Sequence, residues 1–211
     1  MSEADDKLRN VFWLGGAPCA GKTTISEILS DSFDVDVYHV DEAFTAQAPH
    51  FDVVQQPALV KWCASSGDAR WMRSAGDLLR EVIACYQEHF ELILRDVLAL
   101  PGRKPLLVEG TALLPRRVAG LLPNSSHAMW VIPTADLQLE HYSKRVWARE
   151  LVQGCSDPEA AFHNWMERDA GFAKWVEAEA TALRLELLKV GQESSPDQNA
   201  EIVAAHFGFV D

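Results

Sequence analysis

The sequence predicts an α/β fold in which helices cover both faces of a five-stranded parallel sheet. Short, continuous apolar runs alternate along the chain with longer segments of helical periodicity, and glycine, proline or capping residues separate them. Strands that are apolar throughout are buried on both faces, which is typical of parallel sheets. With 48% apolar residues in a length of 211, the chain can bury one core of its own.

Five apolar runs are predicted as strands. The first run stops at two glycines, and its short length together with that stop favours a strand over a helix. The second run, VDVYHV, is short and rich in β-branched residues, and the third, PLLVE, is apolar up to its final glutamate. The predicted strands are residues 10–15, 35–40, 105–109, 128–132 and 185–190.

Helical segments join these strands. Between residues 74 and 100 the apolar positions keep a helical period until a Pro-Gly pair ends the segment. A long helix is predicted to start near Thr134, and the run from Ser156 to Glu159 is a second start signal. Residues 41–73 contain prolines, a glycine and serines, and are predicted as a loop with short helical pieces. The remaining predicted helices are residues 22–33 and 195–206.

The charge balance is strongly acidic, with 31 Asp and Glu against 19 Lys and Arg and a net charge of −12. Polyanions bind basic proteins, so this balance disfavours nucleic acid and anionic membranes but allows a small anionic ligand in a local basic pocket. The first residues do not resemble a signal peptide, and no apolar stretch approaches the roughly 20 residues of a membrane span. Four scattered cysteines without zinc spacing indicate reduced thiols. We therefore expect a cytoplasmic protein.

Residues 16–23 read GAPCAGKT and match the phosphate-binding pattern GxxxxGK[ST] in full. Glycines let successive backbone N–H groups face a phosphate, and the following helix adds its positive end. Lys22 is expected to reach the β- and γ-phosphates of ATP, and Thr23 to take a place on Mg²⁺. A chance glycine-rich turn is the alternative, but this motif stands between an apolar strand and an amphipathic helix. The candidate nucleotide-binding residues are Gly16, Ala17, Pro18, Cys19, Ala20, Gly21, Lys22, Thr23 and Thr24.

With this motif near its start, Asp41 after the second strand and Val108-Glu109-Gly110 after the third, the chain resembles the small P-loop kinases. These include the nucleoside and nucleotide kinases, the shikimate- and gluconate-type kinases and the antibiotic phosphotransferases. The resemblance covers nearly the whole chain in element order. It implies a three-layer P-loop NTPase fold with a helical lid. The chain would form a single domain, residues 1–211, with an acceptor-binding insertion at 41–73 and the lid at 145–168.

Two carboxylates follow predicted strands directly, at the edge of the sheet where open α/β folds bind ligands. Asp41 is a candidate base that would take the proton of an alcohol acceptor, or a ligand of Mg²⁺ through water; a turn-capping Asp is the alternative. Its neighbour Glu42 is expected to be solvated. Glu109 is a second candidate Mg²⁺ ligand and resembles the Glu-Gly turn of uridine-kinase-like enzymes, while a Glu that bonds its own loop is the alternative.

Further cations are expected from the lid. His141, Arg145 and Arg149 are four residues apart, so they are predicted to form one stripe along the long helix from Thr134. The resemblance implies that Arg145 and Arg149 bind ATP and that Arg145 acts on the transferred phosphoryl group. Arg168 could add a positive charge from the opposite side of the lid. Solvated helix faces are the alternative for each arginine.

Aromatic and basic residues gather before the helix at residue 74. The segment from Phe44 to Trp71 is interpreted either as an aromatic acceptor pocket or as core. Arg70 or Arg73 would suit a nucleotide acceptor, as in nucleotide kinases. His39 is expected to lie in or beside the second strand without a catalytic part. The loop after Val190 falls where related kinases hold adenine.

The leading hypothesis is an ATP- and Mg²⁺-dependent phosphotransferase that moves the γ-phosphoryl group of ATP to a hydroxyl of a small molecule. Asp41 favours a hydroxyl, because a phosphate acceptor is nucleophilic at neutral pH without a base. A nucleoside-monophosphate-type kinase is the enzymatic alternative, and a nucleotide-binding ATPase or switch without a small acceptor is the alternative of a different class. The expected partners are ATP and the small-molecule acceptor. Neither a membrane nor nucleic acid is expected as a partner. The sequence leaves open whether the chain forms a homodimer.

Overall fold

A computed structural model describes residues 3–209 of the chain. Its five strands are all parallel and form one sheet, as predicted. Each observed strand differs from its predicted range by at most one residue at either end. The strands are β1 (Val11–Gly16), β2 (Asp36–His39), β3 (Leu106–Glu109), β4 (Ala128–Pro133) and β5 (Glu186–Val190), and their order across the sheet is β2-β3-β1-β4-β5.

Helices fill most of the sequence between the strands. Two short 3₁₀ helices, Ala48–His50 and Ser125–His127, occur beside the α-helices. The α-helices are α1 (Glu3–Leu8), α2 (Lys22–Ser32), α3 (Val40–Gln47), α4 (Pro57–Ala64), α5 (Gly67–Trp71), α6 (Ala75–Ala99), α7 (Pro115–Ala119), α8 (Ala135–Ser143), α9 (Val146–Glu150), α10 (Pro158–Ala182) and α11 (Pro196–Phe207).

Four helices begin at side-chain caps, of which the sequence indicated those of α8 and α10. The side chains of Ser74, Thr134, Asp157 and Ser195 each accept a hydrogen bond from the backbone N–H three residues later. Such a cap satisfies one of the backbone donors that the first helical turn leaves without a partner. The starts of α6, α8, α10 and α11 are therefore fixed by local chemistry.

The helices form two layers, one on each face of the sheet. Trp13 and Leu14 are neighbours in β1 but belong to different cores, because successive side chains of a strand point to opposite faces. The Trp13 core packs under α6, α7 and α10, and the Leu14 core packs under α2 and α11. Since α2 follows β1 onto one face and α7 follows β3 onto the other, a crevice opens at the carboxyl ends of β1 and β3.

The prediction of one long helix from Thr134 is wrong. Helix α8 ends at Ser143, and Arg145 has an extended backbone that caps α9. The Ser143 hydroxyl donates to the Glu140 carbonyl at 2.7 Å and so competes with the helical ladder. The break turns the chain so that Tyr142 and Ala148 enter the same buried cluster. His141, Arg145 and Arg149 consequently form no single stripe.

Residues 41–73 are more ordered than predicted, since α3, α4 and α5 occupy most of this range. Their apolar side chains form small clusters against α6 and α10, including Leu59 with Cys85 and Trp71 with Trp165. All four cysteines are free thiols, as expected. None of the helices within residues 3–209 combines the length and apolar character that a bilayer crossing requires.

Candidate functional site

The loop from Gly16 to Thr23 joins β1 to α2 and is anchored on the neighbouring strand. A Cβ atom on Gly16 would lie 2.1 Å from the carbonyl oxygen of Val131, so only glycine allows this approach. The next amide, of Ala17, donates to that same oxygen at 3.1 Å. At the other end, Gly21 caps α2, and a Cβ atom there would meet nothing within 4 Å. The loop is thus held firmly on one side and faces open space on the other.

Lys22 curls back into this loop. Its side chain is almost fully buried, and its Nζ donates to the carbonyl of Ala17 at 2.9 Å and to the hydroxyl of Thr111 at 3.4 Å. Burial lowers the pKa of the Lys22 ammonium, while the carboxylates of Glu109 and Asp41 oppose that shift. The structure therefore brings both predicted carboxylates close enough to Lys22 to act on its charge.

Glu109 ends β3 and is 4% exposed. Its Oε1 accepts a hydrogen bond of 3.3 Å from the Thr23 hydroxyl, and Nδ1 of His39 lies 2.9 Å from the same oxygen. A hydroxyl beside a carboxylate is the kind of oxygen pair that Mg²⁺ prefers when phosphates and water complete its shell. Residues 3–209 contain no cluster of three or more His, Cys, Asp or Glu that could hold a metal by itself. Thr23 and Glu109 fit a shared rather than a fully protein-made metal site.

Asp41 lies in the first turn of α3, directly after β2, and it is exposed. The start of α3 packs tightly on the end of β3, because a Cβ atom on Gly110 would be 2.4 Å from Cβ of Val40. This close approach positions Asp41 on the same edge of the sheet as Glu109. The predicted site residues Lys22, Asp41 and Glu109 are therefore brought together. Glu42 is exposed, as expected.

A cavity of about 630 Å³ opens beside the loop, and we call it the loop pocket. Gly21 and Thr24 form one wall and His141 of α8 another. The turn after β5, which includes Gly191 and Gln192, closes the far end. The resemblance to P-loop kinases predicts that this same turn contacts adenine. The volume suits a molecule of nucleotide size, since ligand pockets occupy roughly 300–1,000 Å³.

Helix α8 supports the loop from behind. The side-chain amide of buried Gln138 donates to the carbonyl of Pro18 at 3.2 Å. One turn later, the hydroxyl of Tyr142 donates to Asp169 of α10 at 2.7 Å. Burial raises the pKa of the neighbouring Cys19 thiol, which keeps that loop residue neutral. These contacts link the loop to α8 and, through α8, to α10.

The predicted lid arginines Arg145 and Arg149 have different surroundings. Arg145 is exposed beside Tyr142 and Trp147, and its charge acts on Lys22, which places it near the loop. Arg149 instead donates to Glu159 at 3.0 Å. Its Cζ lies 3.8 Å from the Phe162 ring centroid, so the side chain is held by α10. Within residues 145–168, the predicted lid, Arg145 thus acts on the loop around Lys22, whereas Arg149 is held at another surface.

Arg168 is buried on α10 and forms an ion pair with Asp169. It lines a second cavity, of about 280 Å³, that we call the aromatic pocket. The remaining walls come from α3, α4, α5, α6 and α10. They include Asp41, Phe44, Trp62, Arg70, Trp71, Tyr86, His89 and Trp165. The sequence left open whether the aromatic segment forms core or lines a pocket. Trp71 does both, since it is buried and also lines the aromatic pocket.

The arginines before α6 are also separated by the structure. Arg70 lines the aromatic pocket, whereas Arg73 binds Glu81 at 2.5 Å and Arg80 binds Asp77 at the surface. Within the segment from Phe44 to Trp71, Phe51 packs on Phe44 and His50 is exposed, and the next residue, Met72, is exposed as well.

Several functional candidates were missed by sequence reasoning. Thr111 touches Lys22, Gln138 touches the loop, and His39 touches Glu109, although His39 was expected to be a bystander. A buried polar residue within a helix, such as Gln138, is a signal that sequence alone carries only weakly. The partners of His39 and Thr111 lie 70 and 89 residues away in the chain, so no local pattern reveals them.

Comparison with known proteins adds little to this geometry. No protein-family model matches the chain, and no curated protein matches it. Among solved structures, it is similar to a protein of Chloroflexus aurantiacus provisionally described as a kinase. The identity is 14%, the alignment covers 93% of this chain and 97% of the other, and the TM-score is 0.37. A similarity of this size carries no argument about activity.

Proposed function

We propose that the chain is an ATP- and Mg²⁺-dependent phosphotransferase that moves the γ-phosphoryl group of ATP to a hydroxyl of a small molecule. The observation that carries this proposal is the meeting of three features at one edge of the sheet. These are the loop around Lys22, the Thr23–Glu109 oxygen pair and the exposed Asp41 at the mouth of a second cavity.

The loop supplies the triphosphate site. Its open side at Gly21 continues into the loop pocket, and the positive end of α2 faces that space. Lys22 places a cation where charge develops on the transferred group. Arg145, which is exposed and acts on the charge of Lys22, would add a second cation. Gly16, Ala17, Pro18, Cys19, Ala20, Gly21, Thr23 and Thr24 complete the proposed nucleotide contacts, whereas Arg149 is held by Glu159 and Phe162.

Thr23 and Glu109 would hold the metal, with Asp41 reaching it through water. Mg²⁺ held there would neutralise part of the charge of the phosphate groups. The protein's own task is to keep the hydroxyl and the carboxylate at this spacing. His39 serves that task, because its Nδ1 lies 2.9 Å from the Glu109 carboxylate.

Asp41 and the aromatic pocket supply the acceptor side. Asp41 is exposed, lines the pocket and acts on the charge of Lys22, so it stands between the two substrates. A carboxylate there can accept the proton of an alcohol and orient its oxygen toward the γ-phosphate. The pocket is largely apolar and would exclude water from the acceptor, which limits hydrolysis.

Isothermal titration calorimetry of the purified chain with ATP, in the presence and absence of Mg²⁺, tests the proposal first. We expect binding that strengthens with Mg²⁺, followed by ADP formation when a panel of alcohols, sugars and nucleosides is supplied. Absence of ATP binding would overturn the proposal. Binding with slow ATP hydrolysis that no acceptor accelerates would support an ATPase or switch instead.

A nucleoside-monophosphate-type kinase is a second candidate, favoured by the position of Arg70 in the wall of the aromatic pocket. A phosphate acceptor is already ionised, so it needs cations more than a base. Replacing Asp41 by Asn separates the two candidates. Transfer to a phosphate acceptor would survive this change, whereas transfer to a hydroxyl would largely disappear.

A further inference from the structure

Two guanidinium groups in the aromatic pocket share one pair of indole rings. The Cζ atom of Arg70 lies 4.4 Å from the ring centroid of Trp62 and 5.7 Å from that of Trp71. The Cζ atom of Arg168 lies 5.8 Å and 5.7 Å from the same two rings. Like charges repel each other most strongly where water is scarce. A negative charge close to both guanidinium groups would therefore stabilise them beside this small cavity.

Asp169 supplies a counter-charge for Arg168 only. It is buried, pairs with Arg168, and accepts hydrogen bonds from Tyr142 at 2.7 Å and from Nε1 of Trp165 at 3.1 Å. Two hydrogen bonds and one ion pair hold this carboxylate in place. Arg168 is therefore a rigid part of the pocket wall.

Arg70 has no such carboxylate partner. Its Nη2 donates to the carbonyl of Trp62, and no acceptor within residues 3–209 bonds its buried Nε. The carboxylate that acts on its charge, Glu81, is already bound by Arg73 at 2.5 Å and by Lys61 at 2.8 Å. A half-buried guanidinium without a paired anion is well suited to bind an anionic group of a ligand.

The wall of the aromatic pocket carries both signs of charge. It includes the carboxylate of Asp41 and the guanidinium groups of Arg70 and Arg168. An aromatic cavity can attract cations, but here the guanidinium groups already lie over the rings of Trp62 and Trp71. An anion is favoured beside these two rings.

We propose that the acceptor is a small planar molecule that presents a hydroxyl to Asp41 and a carboxylate or phosphate to Arg70 and Arg168. This inference rests on the proposed function and adds the chemical class of the acceptor. Aromatic walls favour a flat ring between the group that meets Asp41 and the group that meets the two arginines. A cavity of about 280 Å³ accommodates one small molecule and excludes a polymer.

The test is binding of three nitroaromatic probes, monitored by tryptophan fluorescence. Trp62, Trp71 and Trp165 line the pocket, and nitroaromatic rings quench indole emission on contact. The probes are 4-nitrobenzoate, 4-nitrophenyl phosphate and the neutral 4-nitrobenzyl alcohol. We expect at least one anionic probe to bind with a Kd about tenfold or more below that of the alcohol. The stronger of the two anions distinguishes a carboxylate from a phosphate site.

Two variants locate the anion. In Arg70→Gln we expect the preference for the anionic probe to fall to about twofold or less, whereas Arg80→Gln should keep the full preference. Arg80 is an exposed arginine that binds Asp77 and does not line the pocket, so it is the matched control. Circular dichroism of both variants confirms that they fold.

The outcomes separate this inference from the proposed function. Equal affinity of the native chain for all three probes, or no binding at millimolar concentration, overturns the inference even if ATP binds. An undiminished preference in folded Arg70→Gln overturns the assignment of the anion to Arg70. Failure of ATP–Mg²⁺ to bind overturns the proposed function and leaves the anion preference to be judged by the probes alone.

Discussion

The Nδ1 atom of His39 lies 2.9 Å from Oε1 of Glu109, the oxygen that also accepts a hydrogen bond from the Thr23 hydroxyl. A single carboxylate oxygen thus joins the ends of β2 and β3 to the first turn of α2. The contact fixes the orientation of Glu109 from two sides, which is the usual arrangement of second-layer groups around a metal ligand.

Replacing Glu109 by Gln should weaken the Mg²⁺ dependence of nucleotide binding, because a carboxylate ligand is lost. His39→Phe should have a smaller effect, about 10- to 100-fold in metal affinity, because it removes only the supporting contact. Calorimetric titration of ATP at several Mg²⁺ concentrations measures both. Glu27→Gln, an exposed change on α2, is the control. Wild-type Mg²⁺ dependence in Glu109→Gln would argue against the metal site.

Replacing Lys22 by Met should reduce phosphoryl transfer by more than about 100-fold, because the cation is lost throughout the transfer of charge. Steady-state ADP formation is the measurement. Lys144→Met removes an exposed ammonium that binds Glu140 and should leave turnover near the wild-type value. Near-normal turnover in Lys22→Met would mean that the loop does not bind phosphate as proposed.

Replacing Asp41 by Asn should lower turnover on a hydroxyl acceptor by about 10²- to 10⁴-fold, since the base is removed with little change in shape. Binding of ATP, followed by calorimetry, should change far less than turnover. The adjacent exposed residue gives a matched control, Glu42→Gln, which should be close to wild type. Equal effects of the two substitutions would remove Asp41 from the chemistry.

Arg145→Ala should decrease turnover by about tenfold or more, because this exposed cation acts on the same region as Lys22. Arg149→Ala should cause a smaller loss, since Arg149 is held by Glu159 and Phe162. Melting temperatures should stay close to the wild-type value in both variants, because the exposed ion pair of Arg149 and the exposed cation–π contacts of Arg145 each contribute about 1 kcal/mol or less. Strong destabilisation by Arg145→Ala would point to packing rather than to catalysis.

Stability should fall as the pH drops from about 6.5 to about 4, and His89 is one cause. Burial lowers the pKa of His89 from 6.5 to about 4 in the folded chain. The unfolded chain therefore binds the proton first, so the stabilisation is complete above pH 6.5 and declines below it, by on the order of 3 kcal/mol. Denaturant unfolding across this pH range should show a shallower decline in His89→Gln. The exposed His50→Gln should follow the wild-type curve.

The sheet and the position of the loop from Gly16 to Thr23 were predictable because their signals are local. A strand of four to six residues that stops at a glycine, or a helix that begins at Ser74, depends on a few neighbouring side chains. The motif from Gly16 to Thr23 likewise carries its own geometry. These features appear in the structure with little displacement.

The break between α8 and α9 and the walls of the aromatic pocket were not predictable in the same way. Tyr142 and Asp169 are 27 residues apart, and their hydrogen bond is buried. The helical spacing of His141, Arg145 and Arg149 suggested a continuous helix, but tertiary packing prevailed over local spacing. Trp62 and Trp71 have the same sequence signature whether they fill a core or line a cavity, so only the fold distinguishes the two.

The contact of Gly110 with Val40 has a consequence for how this protein tolerates substitution. Neither residue carries a reactive group, yet the absence of a Cβ atom at Gly110 sets how near the first turn of α3 comes to the end of β3. A methyl group added at residue 110 would push Asp41 away from Glu109, although both carboxylates would still be present in the sequence. Damage of this kind resembles the loss of an acid in an assay, although no acid has been altered.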